Sequence, residues 1–163
     1  MKAILLSIRP QWCEQIANKK KTIEVRKSKP KLKPPFKCYI YCTEKGKYLY
    51  RCRLDKNGLA VPERWNGKII GEFMCDKISI YPYDRTYGFL ISEEEFNMTF
   101  LTGNEFCGYG KGKTLYGWHI SEVKIYEQPK MLSEFVTPSG TGGISGNHYL
   151  YHPPQSWCYV EEI

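Results

Sequence analysis

Residues 3–8 (Ala-Ile-Leu-Leu-Ser-Ile) are apolar almost without a break and lead into Arg9 and Pro10. Such a run predicts a buried strand, and Pro10 suits the first position of a helix, where its missing N–H has no partner to lose. Trp12, Cys13, Ile16 and Ala17 then recur at helical spacing, so a short helix is expected to end near Asn18. From Thr22 to Arg26 the period changes to two, with Ile23 and Val25 on one face and Thr22, Glu24 and Arg26 on the other. That is the pattern of a half-buried strand, and its polar face sets a carboxylate beside a guanidinium.

Lys27 to Pro35 is dense in lysine and proline and reads as an extended loop. Lys37–Thr43 and Tyr48–Leu54 are β-branched, aromatic and cysteine-rich, and Glu44-Lys45-Gly46-Lys47 between them predicts a hairpin turn. Asp55-Lys56-Asn57-Gly58 supplies another turn, and Lys68–Ile80 reads as a long strand bulged or kinked at Gly71. Ser92-Glu93-Glu94-Glu95 is a capping box ahead of Phe96, Met98, Phe100 and Leu101 and predicts a second short helix. Gly103–Gly112, with four glycines, reads as a mobile loop, a lid or variable binding loop; it lacks the Gly-Lys-Ser/Thr of a phosphate-cradling loop. Leu115–Tyr126 is the next strand, followed by a turn at Ser133-Glu134-Phe135, a Gly/Ser-rich segment at 137–147 and a last strand at Trp157–Val160. Glycine and proline between strands predict a mainly β chain with short helices (α+β), folded as one domain over 1–163.

Composition narrows the function classes. A chain of 163 residues, 42% hydrophobic and 25% charged, builds a core without metals or disulfides. No run of about 18 apolar residues occurs and the first charged residues arrive too early for a signal-peptide core, so neither a membrane span nor classical export is expected and the cytoplasm is the expected location. Seven cysteines, an odd number, read as reduced thiols, and no second short Cys spacing completes a zinc set after Cys38 and Cys42. No metal and no cofactor is expected. Charge is concentrated: between Lys19 and Lys37 nine basic residues face Glu24 alone, a net +8 in a chain whose total is +7. A basic patch of this kind attracts polyanions, although lysine also keeps a loop soluble.

The order of strand, proline-started helix and Lys21-x-x-Glu24-x-Arg26 resembles the ASCH domain, one of the PUA-like β-barrels, whose signature is Gly-x-Lys-x-x-Glu-x-Arg. Lys19 stands where the signature has glycine, a departure that a left-handed helix exit at Asn18 or Lys19 would absorb. Ser7-Ile8-Arg9-Pro10, Gly71-Glu72-Phe73 and Gly117-Trp118-His119-Ile120 extend the match over roughly residues 3 to 127, with insertions around 27–66 and 81–113 and a C-terminal extension over 128–163. Pro153-Pro154-Gln155-Ser156-Trp157-Cys158-Tyr159 looks like the ending of bacterial and prophage members. The resemblance implies a barrel with a cleft beside the first helix and an RNA-binding role. It also implies an alternative, because some relatives are amidohydrolases acting on acetylated cytidine through a lysine with a threonine three residues on, and others are reported as ribonucleases. Here the lysine is Lys21, and Glu24 stands at the threonine position.

The side chains suited to such a cleft follow from their chemistry. Arg26 offers a planar fork for phosphate, and Glu24 orients it or accepts from a nucleobase amino group; the same two residues form a simple structural ion pair if no ligand meets them. Lys21, one residue out of phase, points to the other side of the strand unless the strand begins late and lets it turn into the cleft. As a nucleophile it needs to lose its proton, which Glu24 opposes, so catalysis by Lys21 and Glu24 ranks below binding. Ser7 and Arg9 flank the helix start, His119 sits beside Trp118 on the late strand, and Lys29, Lys31 and Lys33 form the basic loop. Tyr48 and Tyr50, between Lys47 and Arg51, are surface stacking candidates, whereas Trp12 and Trp118 favour the core. The leading expectation is an RNA- or nucleotide-binding module; a hydrolase acting on a modified nucleoside or on RNA is the alternative, and a protein partner docking on the 81–113 insertion is a third. Ligand identity and oligomeric state are not written in the chain.

Overall fold

Both faces of β1 (Lys2–Ile8) are buried, because the strand lies between two neighbours and under two apolar layers. In the computed structural model, which describes residues 1–139 and 148–163, it pairs in parallel with β3 (Phe36–Cys42) and antiparallel with β12 (Trp157–Glu161). Between β1 and β3 run α1 (Pro10–Ala17), with Pro10 in its first turn, and the four-residue β2 (Ile23–Arg26). The other strands are β4 (Tyr50–Leu54), β5 (Ala60–Arg64), β6 (Lys68–Tyr81), β7 (Tyr83–Asp84), β8 (Gly88–Phe89), β9 (Leu115–Lys130), β10 (Val136–Thr137) and β11 (His148–Tyr149). Two more helices, α2 (Glu93–Thr99) and α3 (Gly103–Gly110), precede β9. Part of the Gly/Ser-rich segment, 140–147, lies outside the described residues. No helix among the described residues is long and apolar enough to cross a membrane.

The main sheet has six strands in the order β12-β1-β3-β6-β9-β2, giving the mainly β class with short helices that the pattern predicts. Its two longest strands are irregular. The β6–β9 ladder shifts register at Ile69/Gly71, Glu72/Met74 and Cys75/Ile78, and Glu122 adopts a positive φ of 50°. Such bulges bend a strand and raise its twist. A Cβ on Gly71 would lie 2.4 Å from the Lys124 carbonyl oxygen, so only glycine permits that approach. The bending carries the two edges toward each other, and Arg26 of β2 reaches the Ser7 carbonyl of β1 and the Ser156 carbonyl just before β12. No backbone ladder joins β2 to β12 among the described residues, so the barrel stays open at this seam, where a side chain stands in for a ladder.

Two local expectations are corrected. Tyr48–Leu54 does not form a hairpin with the preceding strand: β3 is taken on both sides by β1 and β6, and β4 pairs with β5 in a separate two-stranded ribbon. Gly103–Gly112 is not a loop. Thr102 and Glu105 close a reciprocal capping box, and Phe106 is buried against Phe89, Phe96 and Tyr81, so helix and packing override the glycines as far as Gly110. The core lies in three groups: under α1 around Ile4, Leu6 and Trp118; on the other face around Leu5, Tyr39 and Phe135; and between β2 and the α2–α3 pair around Ile23 and Phe106.

Candidate functional site: a basic-floored cleft beside the first helix

Helix α1 ends at Asn18, and Lys19 takes a left-handed φ of 59°, the exit that the glycine of the motif would provide. The chain then reaches Lys21 before β2 begins at Ile23. Because Lys21 precedes the strand, the alternation that would turn it away does not yet apply, and it folds in beside Glu24. Its Nζ donates to the Thr99 carbonyl at 2.5 Å and lies 3.4 Å from Glu24 Oε2. On the other side of the carboxylate, Arg26 Nη2 is 2.9 Å from Glu24 Oε1. Arg26 also donates from Nη2 to the Ser7 carbonyl at 2.9 Å and from Nη1 to the carbonyl and Oγ of Ser156 at 3.2 and 3.3 Å.

All three side chains are nearly excluded from water, with Lys21 2%, Glu24 6% and Arg26 6% exposed. Two buried cations therefore share one buried carboxylate. Burial pushes the Lys21 ammonium below its usual range and Arg26 adds to the effect, while the Glu24 carboxylate opposes it. Among the described residues, Arg26 Nε has no hydrogen-bond partner and Glu24 Oε2 has only its ion pair with Lys21.

The cluster forms part of the wall of an open cleft of about 1760 Å³. Ser7, Arg9 and Trp12 line it from β1 and α1, Lys27 and Ser28 from the end of β2, and Asn104, Tyr109 and Lys111 from α3 and its exit. The far wall is the segment Tyr151-His152-Pro153-Pro154-Gln155-Ser156. Lysines lie over two of the aromatic rings: Lys21 Nζ is 5.3 Å from the Trp12 ring centre and Lys27 Nζ 4.8 Å from that of Tyr109. The mixture of cations and half-exposed rings suits a planar, negatively charged molecule.

Of the residues singled out from sequence, Ser7, Arg9, Lys21, Glu24 and Arg26 meet in this cleft. Ser7 is tied down, its Oγ donating to the Pro154 carbonyl at 2.6 Å. Lys29, Lys31 and Lys33 are exposed and outside the cleft wall, and Lys29 lies over the Tyr116 ring. Tyr48 and Tyr50 stand outside it, at the start of the β4–β5 ribbon. His119 is elsewhere as well, with its Nε2 2.8 Å from Ser79 Oγ and 3.3 Å from Glu95 Oε1. Trp118 is fully buried in the core, edge-on to Phe36. Tyr109, Tyr151 and His152 escaped the sequence reading. Glycine spacing hid the helix that places Tyr109, and nothing local marks the C-terminal segment as a wall.

No protein-family model matches the chain, and no curated protein matches it in sequence. Solved structures do match in three dimensions. The crystal structure of ASCH from Zymomonas mobilis is 16% identical, with 98% of this chain and 88% of that one covered at a TM-score of 0.64. A point mutant of the same protein is likewise 16% identical, covering 99% and 92% at a TM-score of 0.65. The chain has the ASCH fold. Its likeness to those ASCH structures runs over nearly the whole chain.

Proposed function

We propose that this ASCH-fold protein binds RNA or a nucleotide in the cleft beside α1, with the basic 27–37 loop drawing the polyanion toward it. The single observation that supports this reading most strongly is the buried imbalance of charge. Among the described residues, Lys21 and Arg26 share Glu24 as their one buried carboxylate, Glu105 of the cleft lining being exposed, so one positive charge in the cleft wall lacks an equally buried counter-ion. A phosphate supplies that missing charge where the dielectric is low and the attraction strong. Trp12, Tyr109 and Tyr151 offer faces for bases.

Titrating labelled single-stranded RNA at several salt concentrations tests the proposal. The log–log slope is expected at about −0.7 per phosphate contact. Lys21→Met weakens binding at the cleft, and reversing Lys29, Lys31 and Lys33 to Glu lowers affinity for all sequences alike. A flat salt response removes the reading. A second reading, hydrolysis of an acetylcytidine-type amide or of RNA, is favoured by one feature, the depressed pKa of Lys21, which raises its share of nucleophilic amine. Incubation with acetylcytidine and with RNA, beside Lys21→Ala, decides it: turnover that disappears with the substitution supports a hydrolase, and no turnover leaves binding alone.

A further inference from the structure

The β4–β5 ribbon lies outside the cleft wall. At its base, Asn66 Oδ1 accepts from the Leu49 N–H at 2.8 Å and Asn66 Nδ2 donates to the carbonyls of Thr43 and Lys47. From Lys45 to Arg64 the ribbon carries six basic residues against two acids, Asp55 and Glu63. Both acids are engaged within the ribbon or at its base. Glu63 pairs with Arg53 and Lys68, and Asp55 Oδ1 accepts from the N–H groups of Asn57 and Leu59 in the turn.

One face of the ribbon is laid out for flat ligands. Tyr50 stands directly opposite Arg64 across the two strands, and the Arg64 guanidinium lies 4.6 Å from the centre of the Tyr48 ring. The two rings are 62% and 56% exposed, far more than an aromatic side chain with a packing role. Guanidinium and ring in contact limit each other's freedom, so less entropy is lost when a third planar group joins them. The chain passes from the cleft into this face within a few residues: Glu44, Lys45 and Gly46 line the cleft, and Gly46 stands two residues before Tyr48.

We infer that the ribbon is a second contact for single-stranded RNA leaving the cleft, with Tyr48 and Tyr50 stacking on bases and Arg64 holding the phosphate between them. The inference rests on the RNA reading of the cleft and extends it from a nucleotide to a polymer. Positive charge with aromatic faces, and few engaged acids, complements a nucleic-acid strand better than a mixed protein surface.

The test compares two probes, a nucleoside monophosphate and a single-stranded RNA long enough to cross both sites, against the full chain and four variants. Tyr48→Ala with Tyr50→Ala is expected to weaken the long RNA by roughly fivefold or more per ring and to leave the monophosphate unchanged. Phenylalanine at both positions restores the affinity, since stacking needs the ring and not the hydroxyl. Arg64→Ala lowers the salt slope for the long RNA by about 0.7. Long RNA bound as tightly by the double alanine variant as by the parent overturns the inference, and the ribbon face is then left to a protein partner. Failure of the cleft reading looks different: Lys21→Met then leaves monophosphate binding intact while the ribbon variants still weaken the polymer. A parent chain that binds neither probe sinks both.

Discussion

At the scale of the residue, burial decides what a side chain's charge is worth. His119 shows this away from the cleft. Burial holds its pKa below the ordinary 6.5 and Lys77 works in the same direction, while Glu95 and Asp76 oppose them. A group that binds its proton less readily folded than unfolded contributes stability above the unfolded pKa, and that contribution is lost as pH falls through the folded one. Stability measured by denaturant is therefore expected to drop as the solution is acidified from about pH 6.5, ahead of general carboxylate titration. His119→Gln, which keeps a donor or acceptor for Ser79, is expected to flatten that part of the profile; an unchanged slope would place the titration elsewhere. Period two put Glu24 and Arg26 on one face, and they are an ion pair 2.9 Å long. Lys21 was ambiguous because its direction depends on where the strand starts, which is set by the left-handed turn at Lys19 and by Thr99 from a distant helix.

Among the elements, those governed by their own periodicity were legible: β1, α1, β2 and β6 lie where the apolar spacing puts them. The errors arose where a partner decides. Four glycines between 103 and 112 argue for a loop, yet the capping box at Thr102 and the burial of Phe106 make a helix. Tyr48–Leu54 reads as a strand, but nothing within it says that β5 and not β3 will pair with it. The ribbon these two strands form depends on Asn66, which is 5% exposed and satisfies three backbone groups at the hinge. Asn66→Ala is expected to cost about 1–3 kcal/mol, since it leaves buried backbone groups without partners. Amide exchange should quicken first across 50–64 while β1 stays protected; uniform acceleration across the chain would show that the ribbon does not move as a unit.

For the whole molecule, the same cluster that floors the cleft also closes the sheet. Arg26 spans the seam between the two edges, tying β2 to Ser7 and to Ser156. Removing it breaks a buried pair together with the seam, so Arg26→Met is expected to lose about 3–5 kcal/mol by denaturant midpoint. Glu24→Gln is expected to cost at least as much, because it leaves Lys21 and Arg26 buried together without a carboxylate. A Glu24→Gln protein as stable as the parent would mean that water or an anion already compensates the cations. The sequence by itself determined the periods of the strands and first helix, the basic stretch and the Lys21, Glu24 and Arg26 spacing, because each is written within a few neighbouring residues. Only the tertiary structure decided that Lys21 turns inward, that the sheet stays open at one seam, and that Tyr109 and the 151–156 segment complete the wall. Those outcomes are set by contacts between segments far apart in the chain, and no local pattern of side chains encodes the register in which distant strands meet.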